Sequence, residues 1–184
     1  MQTVSTDVER PPAGGCAGFT LVELLIVISI IGILASISMA IYGQARVRGH
    51  EAATVAGLVT INQGQFAFAQ SCGNQRYAPT LAGLAAPMPA TGAGFISPDL
   101  GSDPVIKSGY TIELKSPAEP ESLPSCNGQT TIAAYQVTAE PVTPGYSGVR
   151  YFGTNTDRVV YEDTATFAGN MPEAGAPAHG TETR

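Results

Sequence analysis

Glu23 is the side chain whose position most needs a chemical reason. It is the one charged residue between Phe19 and Ala45, in a run of Leu, Ile, Val, Ala and Met with Ser29, Ser36, Ser38, Tyr42 and Gln44 as minor polar interruptions. An ionised group costs about 2.5–3.5 kcal/mol at the centre of a bilayer and less near its surface. An acid at the start of such a run therefore has either a partner or water. The plainer reading is a solvated residue at headgroup level, favoured by the positive end of the helix dipole. The other residues able to do chemistry are scattered. His50 and His179 stand far apart, without metal-ligand spacing, and His50 reads as a solvated helix residue. Cys72 has no evident His and acid partners for nucleophilic work. No Gly-x-Ser-x-Gly element and no phosphate loop occurs. Asn155, Asp157, Glu162 and Asp163 offer the oxygen ligands that Ca²⁺ takes, although a turn and an exposed strand end explain them as well. The reading is of a chain that is not an enzyme and needs no cofactor, with calcium near Asp157 and Asp163 as the alternative.

The elements that must position these residues follow from the pattern. The uncharged stretch after Glu23 is about 22 residues, enough to cross roughly 30 Å of hydrocarbon as a helix. From Gln44 to Gln70 there is no Pro. Val47, Thr54, Leu58, Ile61 and Phe68 recur at helical spacings, with Val55, Val59, Phe66 and Ala69 as an adjoining stripe. Asn62, Gln63 and Gln65 interrupt this face, and Gly43, Gly49, Gly57 and Gly64 mark bends or close packing. The spacing predicts one long helix over 19–70, transmembrane to about residue 45, ended by Cys72-Gly73-Asn74. Residues 77–104 are Pro-rich loop with a short helical turn at Thr80–Ala85. Tyr110, Ile112 and Leu114 then alternate with Thr111, Glu113 and Lys115 as a strand does. A connection from Pro117 to Pro124 leads to a β-prone stretch at Ile132–Thr138, with Tyr135 and Val137 on one face. Val149, Tyr151, Val159 and Tyr161 flank a hairpin turn over 153–157. Three or four antiparallel strands after one long helix make an α+β arrangement, a small sheet head over 71–163 covering the helix. Residues 164–184, rich in Ala, Gly, Pro, Glu and Thr, read as a mobile, disordered tail.

The stretch Gly18-Phe19-Thr20-Leu21-Val22-Glu23-Leu24-Leu25-Ile26-Val27-Ile28-Ser29-Ile30-Ile31-Gly32-Ile33-Leu34-Ala35 resembles the N-terminus of type IV pilins and type II secretion pseudopilins. The resemblance implies a leader at 1–18, cleavage by a prepilin peptidase after Gly18, N-methylation of the new terminal Phe19, and a need for Glu23 in assembly. It implies the family's fold too, a long N-terminal helix with a small β-sheet head. The implied partners are the peptidase, copies of the same chain, the membrane, and an inner-membrane assembly platform and motor. The implied course runs from a single-pass inner-membrane precursor to a periplasmic or extracellular filament. With the cut at Gly18, Cys16 leaves with the leader and Cys72 and Cys126 remain, an even pair expected to form a disulfide outside the cytoplasm. Many pilins carry a helix-bending Pro where this chain has Ala40. Charge does not set the orientation: Arg10 lies before the apolar run, and Arg46 and Arg48 after it. An ordinary secretory signal with Ser38-Met39-Ala40 as its cleavage site is the rival reading, and its mature chain would begin at Ile41.

Composition narrows the function classes. The chain has 9 Lys+Arg against 15 Asp+Glu, a net charge of −6, and no basic run, so nucleic-acid binding is not expected. Charged residues are 13%, low against an average of about 25%, which suits a subunit that packs on its own copies. A structural subunit of a type IV pilus is the leading expectation. A type II secretion pseudopilin and a minor tip subunit acting as a binding module are the alternatives.

Overall fold

The computed structural model describes residues 18–116 and 124–183, without the side chains of Met39 and Ala40. The expected leader up to residue 17, with Cys16, and the connection bearing Glu119 and Glu121 lie outside the described residues. Helix α1 runs Leu21–Ser71, so hydrogen bonding continues through Ala40 with no Pro to interrupt it. The chain divides into two compact units, one up to Ala40 and one from Ile41 onward.

In the first unit the window Leu21–Ser38 has mean hydropathy 2.6 and no buried residue, a helix long and apolar enough to cross a membrane. Its hydroxyls are satisfied within the helix. Ser29, Ser36 and Ser38 donate to the carbonyls of Leu25, Ile33 and Leu34. A serine bonded back onto its own helix puts no unpaired polar group into lipid.

The second unit is the rest of α1 backed by a six-stranded antiparallel meander in chain order. The strands are β1 Val105–Lys107, β2 Tyr110–Lys115, β3 Gln136–Pro141, β4 Tyr151–Asn155, β5 Val160–Asp163 and β6 Thr181–Glu182. This is the pilin-like α+β fold that the sequence leads one to expect, with more strands than the expected three or four. The helix buries Leu58, Ile61 and Phe68, with Cys72 just beyond its end, in one cluster with Ile112, Leu114, Val137, Ala139 and Phe152 of the sheet. Strand β2 alternates as predicted, and Ile112 and Leu114 pair with Ala139 and Val137 of β3. The turn before β5 falls later than expected, because Gly153, Thr154 and Asn155 belong to β4.

The helix face differs from the expected one in two places. Val59 and Phe66 are exposed, and Phe66 lies under the Arg158 guanidinium at 4.4 Å. Asn62 and Gln65, which look like interruptions, are buried and act as clamps. Asn62 donates to Thr154 Oγ1 and the Arg158 carbonyl and accepts from the Tyr135 hydroxyl. Gln65 donates to the Ala78 carbonyl and accepts from the Ala78 N–H. The Asn62 amide so paired fixes one register of helix on sheet, where an apolar side chain would allow slippage, and Gln65 fastens the segment after the helix back onto it. Gly64 marks close packing: a Cβ there would stand 2.6 Å from Ile96 Cγ2. Helix α2 (Leu81–Ala85) forms at the expected turn, with Thr80 Oγ1 capping Gly83 N–H.

The segment expected as a mobile tail carries residues that pack on the sheet. Phe167 and Met171 are buried with Tyr161 in a second cluster. They lie against Gly153, where a Cβ would meet Met171 Sδ at 2.8 Å and Phe167 Cγ at 3.1 Å. His179 stacks on Phe167, its Nδ1 lies 2.7 Å from Asp163 Oδ2, and β6 pairs with β5. The composition is that of a disordered segment, but two large apolar residues suffice to seat it on the sheet's outer face. That cover is why β4 is buried at consecutive positions rather than at alternate ones.

Cys72 and Cys126 form the expected disulfide, 54 positions apart in sequence, and Cys126 N–H donates to the Cys72 carbonyl. Closing a loop of this size restricts the unfolded chain by at most about 4 kcal/mol. The double substitution Cys72→Ser, Cys126→Ser is expected to cost about 2–4 kcal/mol in denaturant unfolding of the solubilised chain. Adding reductant to the unsubstituted chain should reproduce the loss.

Candidate functional site

Gly18, Phe19 and Thr20 precede the helix without regular structure, and α1 begins at Leu21. Thr20 and Glu23 start it together. Glu23 N–H donates to Thr20 Oγ1 at 3.2 Å, while Glu23 Oε2 accepts from Thr20 N–H at 2.9 Å and from the Thr20 hydroxyl at 2.8 Å. This is a reciprocal capping box, which satisfies amide groups that a helix start otherwise leaves unpaired. The Thr-x-x-Glu spacing that signals it is legible in the chain, and reading Glu23 as a lone acid overlooks it. Oε2 takes both bonds, and Oε1 accepts none from the described residues.

The bond between Gly18 and Phe19 thus lies just outside a capped helix. Phe19 is 89% exposed, and a Cβ added at Gly18 would meet nothing within 4 Å. Backbone outside the helix, with an exposed aromatic after the bond and no side chain before it, can enter a protease cleft without unwinding the helix.

The remaining polar residues serve the fold. Asp157 accepts from Gly175 N–H, and Asn155 donates to the Pro172 and Gly175 carbonyls. Glu162 pairs with Arg150, and Asp163 with His179 and the N–H groups of Thr164 and Ala165. The four residues considered for calcium are thus engaged in bonds within the fold, with Gly175 shared between Asn155 and Asp157. Among the described residues no group of three His, Cys, Asp or Glu is arranged to hold a metal. His50 is half-buried, with Nδ1 3.1 Å from the Ser147 carbonyl oxygen, rather than a free surface residue.

Glu51, which the sequence reading passes over, is a buried acid held by four hydrogen bonds. Only 4% exposed, it accepts from Val149 and Arg150 N–H through Oε1 and from Arg150 Nε and Nη2 through Oε2. The signal available was its place one helical turn before Thr54 on the buried stripe. Burial pushes its carboxyl up, but the Val149 N–H and the Arg150 groups outweigh that and hold it below the usual carboxylate range. A carboxyl lowered on folding stabilises fully above its unfolded value, and that stability is lost as pH falls through the folded one. Glu51→Gln is expected to cost about 2 kcal/mol near neutrality. It should also flatten the acid limb of the stability curve, as read by denaturant midpoints across pH.

Residues 14–39 match the prokaryotic N-terminal methylation motif, the prepilin-type sequence typical of type IV pilins and pseudopilins. The match takes in Gly18, Phe19 and Glu23 and ends before the head. No curated protein matches the chain.

Proposed function

We propose that the chain is the precursor of a filament subunit, a prepilin of a type IV pilus or a closely related assembly. The carrying observation is the methylation motif at 14–39, set on an exposed, capped apolar helix that leads into a helix-backed sheet. A prepilin peptidase cuts between Gly18 and Phe19, and the new Phe19 amine is methylated. The precursor waits in the inner membrane through Leu21–Ser38, then joins copies of itself by bundling these helices. Platform and motor proteins are separate chains. Glu23 serves assembly: the carboxylate of one subunit receives the Phe19 amine of the next. The contact offsets desolvation as the helix leaves lipid, and it sets axial register, the best-attested use of a buried polar contact. The role is structural rather than catalytic. The Cys72–Cys126 disulfide suits a head that folds outside the cytoplasm.

Mass spectrometry of the N-terminal peptide of exported protein tests this. A methylated Phe19 supports it, and a chain beginning at Ile41 would overturn it in favour of plain secretion. The motif is common to pilins and secretion pseudopilins, and sheared surface filaments that contain this chain separate the two.

A further inference from the structure

Just past the apolar window, the second unit shows an unusual surface. Arg46 follows Ser38, the last residue of that window, by eight residues in sequence. Its guanidinium carbon lies 3.9 Å from the centroid of the Tyr146 ring. Arg46 Nε is buried without a hydrogen-bond partner among the described residues. Tyr146 belongs to the loop after β3, where Val142, Tyr146 and Val149 are all exposed. That loop is fastened to the helix. His50 bonds the Ser147 carbonyl, and Glu51 accepts from the N–H groups of Val149 and Arg150. Tyr42 and Arg48 are exposed on the adjoining helix.

We propose that this rim, made of Tyr42, Arg46, Arg48 and the 142–149 loop, docks on the anionic headgroup layer of the membrane that holds the apolar helix. The proposal rests on the membrane reading of Leu21–Ser38. The partner follows from chemistry and position. Aromatic rings beside arginines, with apolar side chains between them, are what a headgroup layer accepts: rings at the interface, stems in the acyl boundary, charges on phosphate. A guanidinium stacked by its face on an aromatic ring, with Nε buried, keeps its terminal Nη groups for a phosphate. Charge selects the same surface. The whole chain is acidic, yet residues 41–50 and 142–149 carry two arginines and no carboxylate. An anionic surface repels the protein elsewhere and attracts it here. The docking also gives Arg46 and Arg48 a task on the side of the helix where charge bias alone makes them unexpected.

The chain contains no Trp, so Tyr146→Trp makes a single-probe protein that keeps the stack. The full chain is reconstituted in phosphatidylcholine vesicles with and without phosphatidylglycerol, using lipids brominated high on the acyl chain. Tyr146→Trp is expected to emit at shorter wavelength and be quenched in the phosphatidylglycerol vesicles. Quenching should weaken in pure phosphatidylcholine and at high salt. Adding Arg46→Gln should lower the docked-to-free ratio about fivefold, the worth of one arginine at an anionic surface. Ile33→Trp reports the span itself. If Ile33→Trp is quenched while Tyr146→Trp stays solvent-like, the docking is overturned and the membrane reading stands. If Ile33→Trp is unquenched, the membrane reading fails and the docking with it. A blue shift of Tyr146→Trp that depends on protein concentration, without lipid quenching, would identify a second copy as the partner and overturn the proposal.

Discussion

Cells carrying Glu23→Val are expected to hold processed, membrane-inserted subunit at the unsubstituted level and to release essentially no sheared filament. Losing the acid makes the segment more apolar, so insertion does not suffer. The capping box complicates the interpretation. Val at this position removes the side chain that bonds Thr20 N–H as well as the charge, and a lost cap costs about 1 kcal/mol of helix stability. Glu23→Gln separates the two roles, because Gln can complete the box but carries no charge. With the carboxylate needed as counter-charge to a neighbour's Phe19 amine, both variants fail to assemble. With the cap as its whole purpose, Glu23→Gln assembles normally. Filament yield beside membrane-fraction protein decides it, and normal yield from Glu23→Val would leave Glu23 a solvated residue at a helix start.

Gly18→Val is expected to leave the precursor uncut, with no mature form on a gel and no methylated Phe19 peptide by mass spectrometry. A cleft that accepts hydrogen at this position has no room for a branched side chain. The structure makes the test clean. A Cβ at Gly18 meets nothing within 4 Å, so the substitution does not disturb the chain's own packing. Any block therefore arises in the peptidase. Efficient cutting of Gly18→Val would place the processing elsewhere, with Ile41 as the terminus to look for first.

By itself the sequence determined the features whose cause is local. An apolar run of membrane length, the Thr20-x-x-Glu23 spacing and the alternation in Tyr110–Leu114 each express a period or a spacing within a few residues. The cysteine count, with Cys16 assigned to the expected leader, was enough to expect the Cys72–Cys126 pair, since that leaves only one pairing. What the tertiary structure decided depends on residues far apart in the chain. Asn62 and Gln65 look like flaws in an apolar stripe until Thr154, Tyr135 and Ala78 supply their partners. Phe66 looks like core until the sheet proves to cover the other side of the helix. The 164–183 segment looks disordered because composition averages over it. Its place depends on Phe167 and Met171 finding a sheet face left open at Gly153, and on a short strand pairing with β5. Glu51 and Arg150 lie 99 positions apart, yet share one carboxylate. A buried polar group is tolerated only with its partners in place, and distant partners leave no periodicity in the sequence.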